Sequence, residues 1–266
     1  MASRPTAEQL LQTVAASPAA VAVHDRSAWL DLMARNAIVN DPVGSTPHRG
    51  REAIGRFYDT FIGPNTIVFD VAHDVVCGST VFRDVTIATT MSTGVTLHVP
   101  MHLRYDMVEE HGSLKIGLLA AYWELPTMLA QLARAGMPGL SASLKLTPQL
   151  LSNQGVGGTL GFLRGLRRAG AAGKRTAEGL SAALRRGDAD GVASALSGRA
   201  RLELPAGTTV PVAEFVARGG EFEWSKFLSA GNSVTASVRA GERSGVALLE
   251  FTARRIDRVA LYLTED

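Results

Sequence analysis

The chain has 266 residues, of which 46% are hydrophobic, and a formal net charge of +2. This length exceeds the usual size of a single core, and the apolar content is enough for a sizeable interior, so we expect two domains. The nearly neutral charge excludes the basic character of a protein whose main partner is a nucleic acid.

The N-terminal segment lacks the unbroken apolar core of a signal peptide, because a glutamate and several polar residues interrupt it. No stretch approaches the roughly 18 uncharged apolar residues of a transmembrane helix. We therefore expect a soluble, cytoplasmic protein. The single cysteine, Cys77, excludes an internal disulfide. Its flanking residues indicate a strand, in which we expect it to be a small buried apolar side chain.

The first third of the chain is predicted to be mainly helical. Apolar residues recur at helical spacing over 7–33, with interruptions at Ser17-Pro18 and His24-Asp25, so two or three short helices are expected. A short strand over 37–42 ends at a proline, and a further helix follows over 51–58.

From about Thr66 onward the apolar residues recur at every second position, as in β-strands. Turn residues at Gly78, Thr93-Gly94 and His111-Gly112 separate four predicted strands, which are Ile67–Val76, Val81–Met91, Val95–Val108 and Leu114–Trp123. Helices followed by an antiparallel meander are typical of an α+β fold.

Residues 125–172 differ from their surroundings in being rich in proline, glycine and arginine. We interpret them as an amphipathic helical linker. Its basic stretch Phe162–Arg175 either packs on the neighbouring domains or contacts a membrane surface or a partner protein. The glycine run Gly155–Gly161 is interpreted as a flexible loop, because no strand precedes it as a nucleotide-binding loop requires.

The second half repeats the element order of the first. Helices are predicted over Thr176–Leu184, Asp188–Leu196 and Val212–Arg218, and strands over Ala200–Leu204, Glu221–Leu228, Asn232–Arg239, Gly245–Thr252 and Ile256–Leu263. This repetition predicts a tandem duplication with a shorter, degenerate second copy. The predicted domains are 1–124 and 173–266, joined by the linker 125–172.

Several segments of the first half occur in the order of a known family. They are a helix start at His24–Trp29, a strand and loop over Ala37–Ser45 that contain Asp-Pro-x-Gly, a Gly-Arg-Glu-x-Ile-x-x-Phe-Tyr helix over His48–Tyr58, a hairpin at Glu110–Gly112 and a last strand ending in Ala121–Glu124. In these segments the chain resembles the ketosteroid isomerase-like and SnoaL-like proteins of the nuclear transport factor 2-like superfamily. The resemblance implies cone-shaped α+β barrels, in which helices pack on a curved antiparallel sheet.

The resemblance also implies a chemistry. Ketosteroid isomerases remove a proton next to a carbonyl with a carboxylate base, stabilise the resulting oxyanion with hydrogen-bond donors and hold the ligand in an apolar pocket. Asp41 matches the base, and Tyr58 matches a second tyrosine of the pocket. The alternative for Asp41 is that it only caps a turn, as aspartate before proline often does.

The sequence departs from the family pattern at the oxyanion donors. The family's first tyrosine would fall near Ala16 or Ser17, and no tyrosine precedes Tyr58. The second donor would fall between Arg104 and Asp106. Alternation along the strand separates two faces, one with Val99, Met101, Leu103, Tyr105 and Met107 and the other with Pro100, His102, Arg104 and Asp106. The apolar face should point to the core, so Tyr105 is the expected donor. Loss of one donor is expected to slow catalysis by about a hundredfold.

Two functions remain open from the sequence. One is an isomerase-like enzyme that binds a small apolar ligand, steroid-, polyketide- or terpenoid-like, with Asp41 as base and Tyr58 and Tyr105 as donors. The other is a non-catalytic ligand-binding or scaffold module. The residues expected to contact the ligand are Trp29, Phe57, Met101, Leu103 and Trp123. We expect no cofactor and no metal, since the six histidines fit no common ligand spacing. We expect either a monomer with an internal pseudo-dimer or a homodimer.

Overall fold

The computed structural model describes residues 5–135 and 170–264. These form two compact units. The first contains residues 5–135 except Val75–Cys77, and the second contains residues 170–264 together with those three. The glycine run Gly155–Gly161 and residues 162–169 of the basic stretch lie outside the described residues. In the described part of the chain, no helix has both the length and the apolar character needed to cross a membrane.

The first unit begins with α1 (Ala7–Ala22), whose N-terminus is closed by a capping box. The Gln9 backbone N–H donates to the Thr6 hydroxyl over 3.2 Å, and the Thr6 N–H donates to the Gln9 side chain over 2.8 Å. The predicted break at Ser17-Pro18 is wrong, because α1 runs through Pro18 without ending. Its buried face, which includes Leu10 and Val14, is held against the core and offsets the hydrogen bond that proline removes.

The interruption predicted at His24-Asp25 is present between the first two helices. Asp25 accepts a hydrogen bond from the Ala28 N–H over 2.9 Å and caps α2 (Arg26–Asp31). The strand β1 (Met33–Asn40) follows, then the two-residue β2 (His48–Arg49) and α3 (Gly50–Phe57). A π-helical turn, Tyr58–Ile62, extends α3.

The four predicted strands of the first unit form a meander, followed by a helix. The elements are β3 (Thr66–Cys77), β4 (Thr80–Thr90), β5 (Thr96–Glu110), β6 (Ser113–Tyr122) and α4 (Leu125–Arg134). Cys77 ends β3 and is partly exposed rather than buried as predicted.

The sheet order in the first unit is β2-β1-β6-β5-β4-β3, and β1 pairs with β6 in parallel. Helices packed on a mainly antiparallel sheet make the fold α+β, as predicted. The sheet has free edges at β2 and β3, so it is not a closed barrel. Directly paired residues share a face in an antiparallel sheet, and Leu103 pairs with Arg83 and with Ala121. The residues of β4 and β6 that pair with Leu103 therefore lie on the same face of the sheet as Leu103, the face that is turned to the helices.

The described part of the second unit has the same order of elements as the first, without counterparts of β2 and α4. They are α5 (Gly170–Arg185), α6 (Ala189–Ala195), β7 (Leu196–Glu203), α7 (Val212–Gly219), β8 (Glu223–Ala230), β9 (Ser233–Ala240), β10 (Arg243–Thr252) and β11 (Arg255–Leu263). The sheet order is β7-β11-β10-β9-β8, again with the first strand parallel to the last. Asp188 caps α6 through the Gly191 N–H over 2.8 Å, as Asp25 caps α2.

Buried apolar side chains pack between the helices and the sheet of the second unit. Phe215 of α7 is fully buried there against residues such as Leu180 of α5 and Leu249 of β10. One ion pair is also buried in this unit. Glu203 at the end of β7 is 3% exposed and receives two hydrogen bonds of 2.8 Å from Arg258. The Arg258 guanidinium holds the pKa of Glu203 below its ordinary value.

Candidate functional site

A cavity of about 170 Å³ lies in the first unit between the helices and the inward face of the sheet, and it is partly open to solvent. Its wall is mainly apolar. The wall residues before β3 are Ser17, Val21, Trp29, Asp41, Phe57, Phe61, Ile62 and Asn65. The wall residues on the sheet and after it are Ile67, Phe69, Ile87, Thr89, Met91, Leu97, Val99, Met101, Leu103, Tyr105, Leu119, Trp123, Met128 and Leu132.

The cavity follows β5, with a polar end and an apolar end. Tyr105 and Leu97 are eight residues apart on this strand, and every second residue between them is on the wall. At about 3.4 Å per residue, that is roughly 27 Å of strand. The polar end consists of Ser17, Asp41, Tyr105 and Trp123. The apolar end consists of Met91, Leu97, Met128 and Leu132.

Asp41 is the carboxylate on this wall. It directly follows β1, and the parallel pairing of β1 with β6 brings it to Trp123, which directly follows β6. The indole Nε1 of Trp123 donates to Asp41 Oδ1 over 2.6 Å. Burial raises the pKa of Asp41 to about 6, and the hydrogen bond from Trp123 opposes part of that rise. A partly buried carboxylate with this pKa is ionised at neutral pH and is a stronger base than an ordinary aspartate.

Tyr105 supplies a hydroxyl at the same end of the cavity. Its side chain is 1% exposed. Burial raises the pKa of Tyr105 to about 12, while the charge of Arg83 and a hydrogen bond with Ser17 act in the opposite direction. The phenol therefore keeps its proton at neutral pH. Ser17 in turn accepts a hydrogen bond from Trp29 Nε1 over 3.1 Å.

A buried ion pair stands near Tyr105. Arg83 of β4 is 5% exposed and donates two hydrogen bonds of 2.8 Å to the Asp74 carboxylate on β3. The pair gives the buried guanidinium two hydrogen-bond partners, and the charge of Arg83 opposes part of the rise in the pKa of Tyr105 that burial causes. Arg83 is a charged residue among the apolar inward-facing residues of β4. This break in the pattern was the sequence signal for the buried ion pair.

The eight residues predicted for the site divide into two groups. Seven are on the cavity wall, namely Asp41, Tyr105, Trp29, Phe57, Met101, Leu103 and Trp123. Tyr58 is not among the wall residues. It is 2% exposed, packs on Trp29 with ring centroids 5.4 Å apart, and its hydroxyl has no hydrogen-bond partner among the described residues.

Some wall residues were not predicted from the sequence. Ser17 was noted only as the place where a tyrosine is missing, and Met128 and Leu132 were assigned to the linker. The helical spacing of Leu125, Met128 and Leu132 was the signal that α4 has an apolar face.

No group of three or more potential metal ligands occurs among residues 5–135 and 170–264. His102 is directed to the sheet face opposite the cavity side of β5, where its Nε2 lies 3.5 Å from Asp84 Oδ2. The wall of the cavity carries no histidine or cysteine in this part of the chain. Because the Asp41 carboxyl is ionised and the Tyr105 phenol is protonated at neutral pH, the polar end can accept a proton at Asp41 and donate a hydrogen bond from Tyr105.

The comparison with protein-family models finds a similarity in the first unit. Residues 14–114 match the SnoaL-like domain family. No curated protein sequence matches the chain.

Solved structures with similar folds each correspond to about half of this chain. A Delta 5-3-ketosteroid isomerase from Mycobacterium sp. is 29% identical over 45% of this chain and 96% of its own, with a TM-score of 0.42. RV0760c from Mycobacterium tuberculosis, solved with estradiol-17beta-hemisuccinate, is 26% identical over 45% of this chain and 96% of its own, with a TM-score of 0.41. An M. tuberculosis LEH-like epoxide hydrolase is 17% identical over 53% of this chain and 98% of its own, with a TM-score of 0.43. The similarity to the SnoaL-like domain family covers residues 14–114, which is less than half of the chain.

Proposed function

We propose that the first unit binds a small apolar carbonyl compound and moves a proton next to the carbonyl, with Asp41 as the base. The observation that carries this proposal is the pairing of a carboxylate of raised pKa with a protonated phenol at one end of an apolar cavity. Two titratable groups with pKa values separated in this way are suited to act as base and hydrogen-bond donor.

The proposed reaction is the isomerisation of a β,γ-unsaturated ketone to its conjugated isomer. The Asp41 carboxylate removes a proton from the carbon between the carbonyl and the double bond, and the electron pair moves onto the carbonyl oxygen as a dienolate. The protonated Asp41 then returns the same proton to the γ carbon, and the carbonyl reforms. Atoms and charge balance without a cofactor.

Tyr105 is the proposed donor to the dienolate oxygen. Ser17 accepts the Trp29 N–H, so the Ser17 hydrogen remains for the Tyr105 oxygen, and the Tyr105 proton is then available to a ligand. This arrangement supports one strong donor rather than a pair. Because a missing donor costs on the order of a hundredfold in rate, we expect slow turnover. Tyr58, which the sequence suggested as a donor, has only an indirect role in this proposal, since it packs against Trp29.

The alternative is a binding module without catalysis. A cone filled by its own side chains would have favoured that alternative, whereas the cavity and the raised pKa of Asp41 support the enzyme. Steroid-, polyketide- and terpenoid-like ligands remain the proposed classes, and the cavity volume favours the smaller ones.

The test is the conversion of 3-cyclohexen-1-one to 2-cyclohexen-1-one, followed by the absorbance of the conjugated enone. We expect the rate to rise with pH to a plateau with a midpoint near 6, where Asp41 ionises. Asp41→Asn should lower kcat/KM by about a hundredfold or more. Asp70→Asn, which changes an exposed carboxylate of β3, is the matched control. Equal rates for Asp41→Asn and wild type would refute the assignment. Tight binding of 4-ethylphenol without turnover would favour the binding module.

We also propose that residues 173–266 are a degenerate copy of residues 1–124. The shared element order, the parallel pairing of first and last strands and the equivalent aspartate caps support this. Asp41 has no counterpart, because the strand β7 is followed by Leu204. The second copy is therefore proposed to be structural, and substitutions of its core should leave the chemistry of Asp41 unchanged.

A further inference from the structure

The volume of the cavity restricts its ligands. Pockets that enclose drug-sized molecules typically measure about 300–1,000 Å³, and an engineered cavity of about 150 Å³ holds one benzene ring. The present cavity, at about 170 Å³, is close to the second case. A ligand of several rings needs part of the wall to move, or it must remain largely outside.

Helix α4 is the wall element whose movement would disturb the fold least. The sheet strands on the wall are hydrogen-bonded to their neighbours, and α1 is fixed through buried residues such as Leu10 and Val14. In contrast, α4 follows the last strand of the sheet and contributes Met128 and Leu132 to the apolar end. Its opposite face is exposed, with Leu129 at 43% exposure.

Gln131 holds α4 on the sheet. Its Nε2 donates to the His98 backbone oxygen over 2.8 Å, and its Oε1 accepts from the His98 backbone N–H over 3.0 Å. His98 lies between Leu97 and Val99, which are both on the cavity wall. The two hydrogen bonds thus join α4 to the stretch of β5 that forms the apolar end.

We propose that Gln131 determines the size selectivity of the cavity, because it keeps α4 closed over the apolar end. One-ring ligands bind while α4 is closed, and ligands of three or four rings bind only after the two hydrogen bonds to His98 break. This inference rests on the proposed function in one respect, that the cavity receives an apolar ligand.

The test uses two hydrocarbons without oxygen, so that the result is independent of Asp41. Ethylbenzene has one ring and pyrene has four, and binding is followed at pH 7 by the fluorescence of the wall tryptophans Trp29 and Trp123 and by the emission of pyrene. Gln131→Ala should raise the affinity for pyrene about tenfold, since two hydrogen bonds that favour the closed position are lost. The affinity for ethylbenzene should stay within about twofold. Leu129→Ala, on the exposed face of α4, should change neither affinity.

A second measurement needs no variant. In the wild type, saturation with pyrene should accelerate hydrogen exchange of the His98 backbone N–H, and saturation with ethylbenzene should not. The inference is overturned if Gln131→Ala leaves pyrene affinity unchanged, if it changes both affinities equally, if pyrene leaves His98 protected, or if neither hydrocarbon binds. Turnover of 3-cyclohexen-1-one that requires Asp41 would in each of these cases leave the proposed function intact. If Gln131→Ala changes size selectivity as expected but Asp41→Asn does not change turnover, only the proposed proton transfer is refuted.

Discussion

Replacing the proposed base should stabilise the protein at neutral pH. Burial raises the pKa of Asp41 from the ordinary 3.8 to about 6, so the folded protein prefers the protonated acid. In the unfolded chain the same carboxyl ionises at its ordinary pKa. The ionised carboxylate therefore lowers the free energy of unfolding, and Asp41→Asn removes this cost while keeping an oxygen for the Trp123 indole.

The sign and the size follow from proton linkage. Below pH 3.8 both states hold the proton and Asp41 contributes nothing; between 3.8 and about 6 stability falls as pH rises, because only the folded state retains the proton. Above that window the loss is complete. One pKa step is worth about 1.4 kcal/mol, so the full difference is about 3 kcal/mol, and partial exposure of Asp41 reduces it to about 2 kcal/mol.

The assay is urea denaturation of wild type and Asp41→Asn at several pH values from 3.5 to about 8. We expect equal free energies of unfolding at the acidic end and a gain of about 2 kcal/mol for the variant above pH 6. Asp70→Asn on the exposed part of β3 serves as control and should show no such pH-dependent gain. A variant that is less stable than wild type at neutral pH, or a gain that does not depend on pH, would refute the reasoning that Asp41 is destabilised by burial.

Four further substitutions test the site and the fold. Trp123→Phe removes the donor to Asp41, so the midpoint of the pH–rate profile should move above 6, and an unchanged midpoint would contradict the role of this hydrogen bond. Tyr105→Phe should lower kcat about a hundredfold with little change in KM, measured with 3-cyclohexen-1-one. A rise in KM with an unchanged kcat would contradict its role as donor to the oxyanion. Thr6→Ala removes a cap of α1 and should cost about 1 kcal/mol in thermal denaturation, where no loss would mean that the capping box is absent in solution. Phe215→Ala should destabilise the second unit by about 3–5 kcal/mol in urea denaturation without changing turnover per folded molecule, and a parallel loss of turnover would argue against a purely structural role.

The sequence was informative where the relevant signal is local. Alternation along β5 was sufficient to place Met101, Leu103 and Tyr105 on one face, because successive side chains of a strand point to opposite sides. The end of β1 at an Asp-Pro pair placed Asp41 at a strand end for the same local reason. The local signal gave a wrong prediction at Pro18, where burial of one face of α1 outweighs the helix-breaking effect of proline.

Tertiary structure decided the chemistry of the site. Asp41 and Trp123 are 82 positions apart, and only the parallel pairing of β1 with β6 brings the indole onto the carboxylate. The pKa of Asp41 likewise depends on burial, which no single segment contains. The closure of the cavity by α4 depends on Gln131 and His98, which are 33 positions apart. The sequence by itself thus determined which side chains face inward, through the period of its strands, whereas tertiary packing alone determined their partners, their solvation and the size of the cavity.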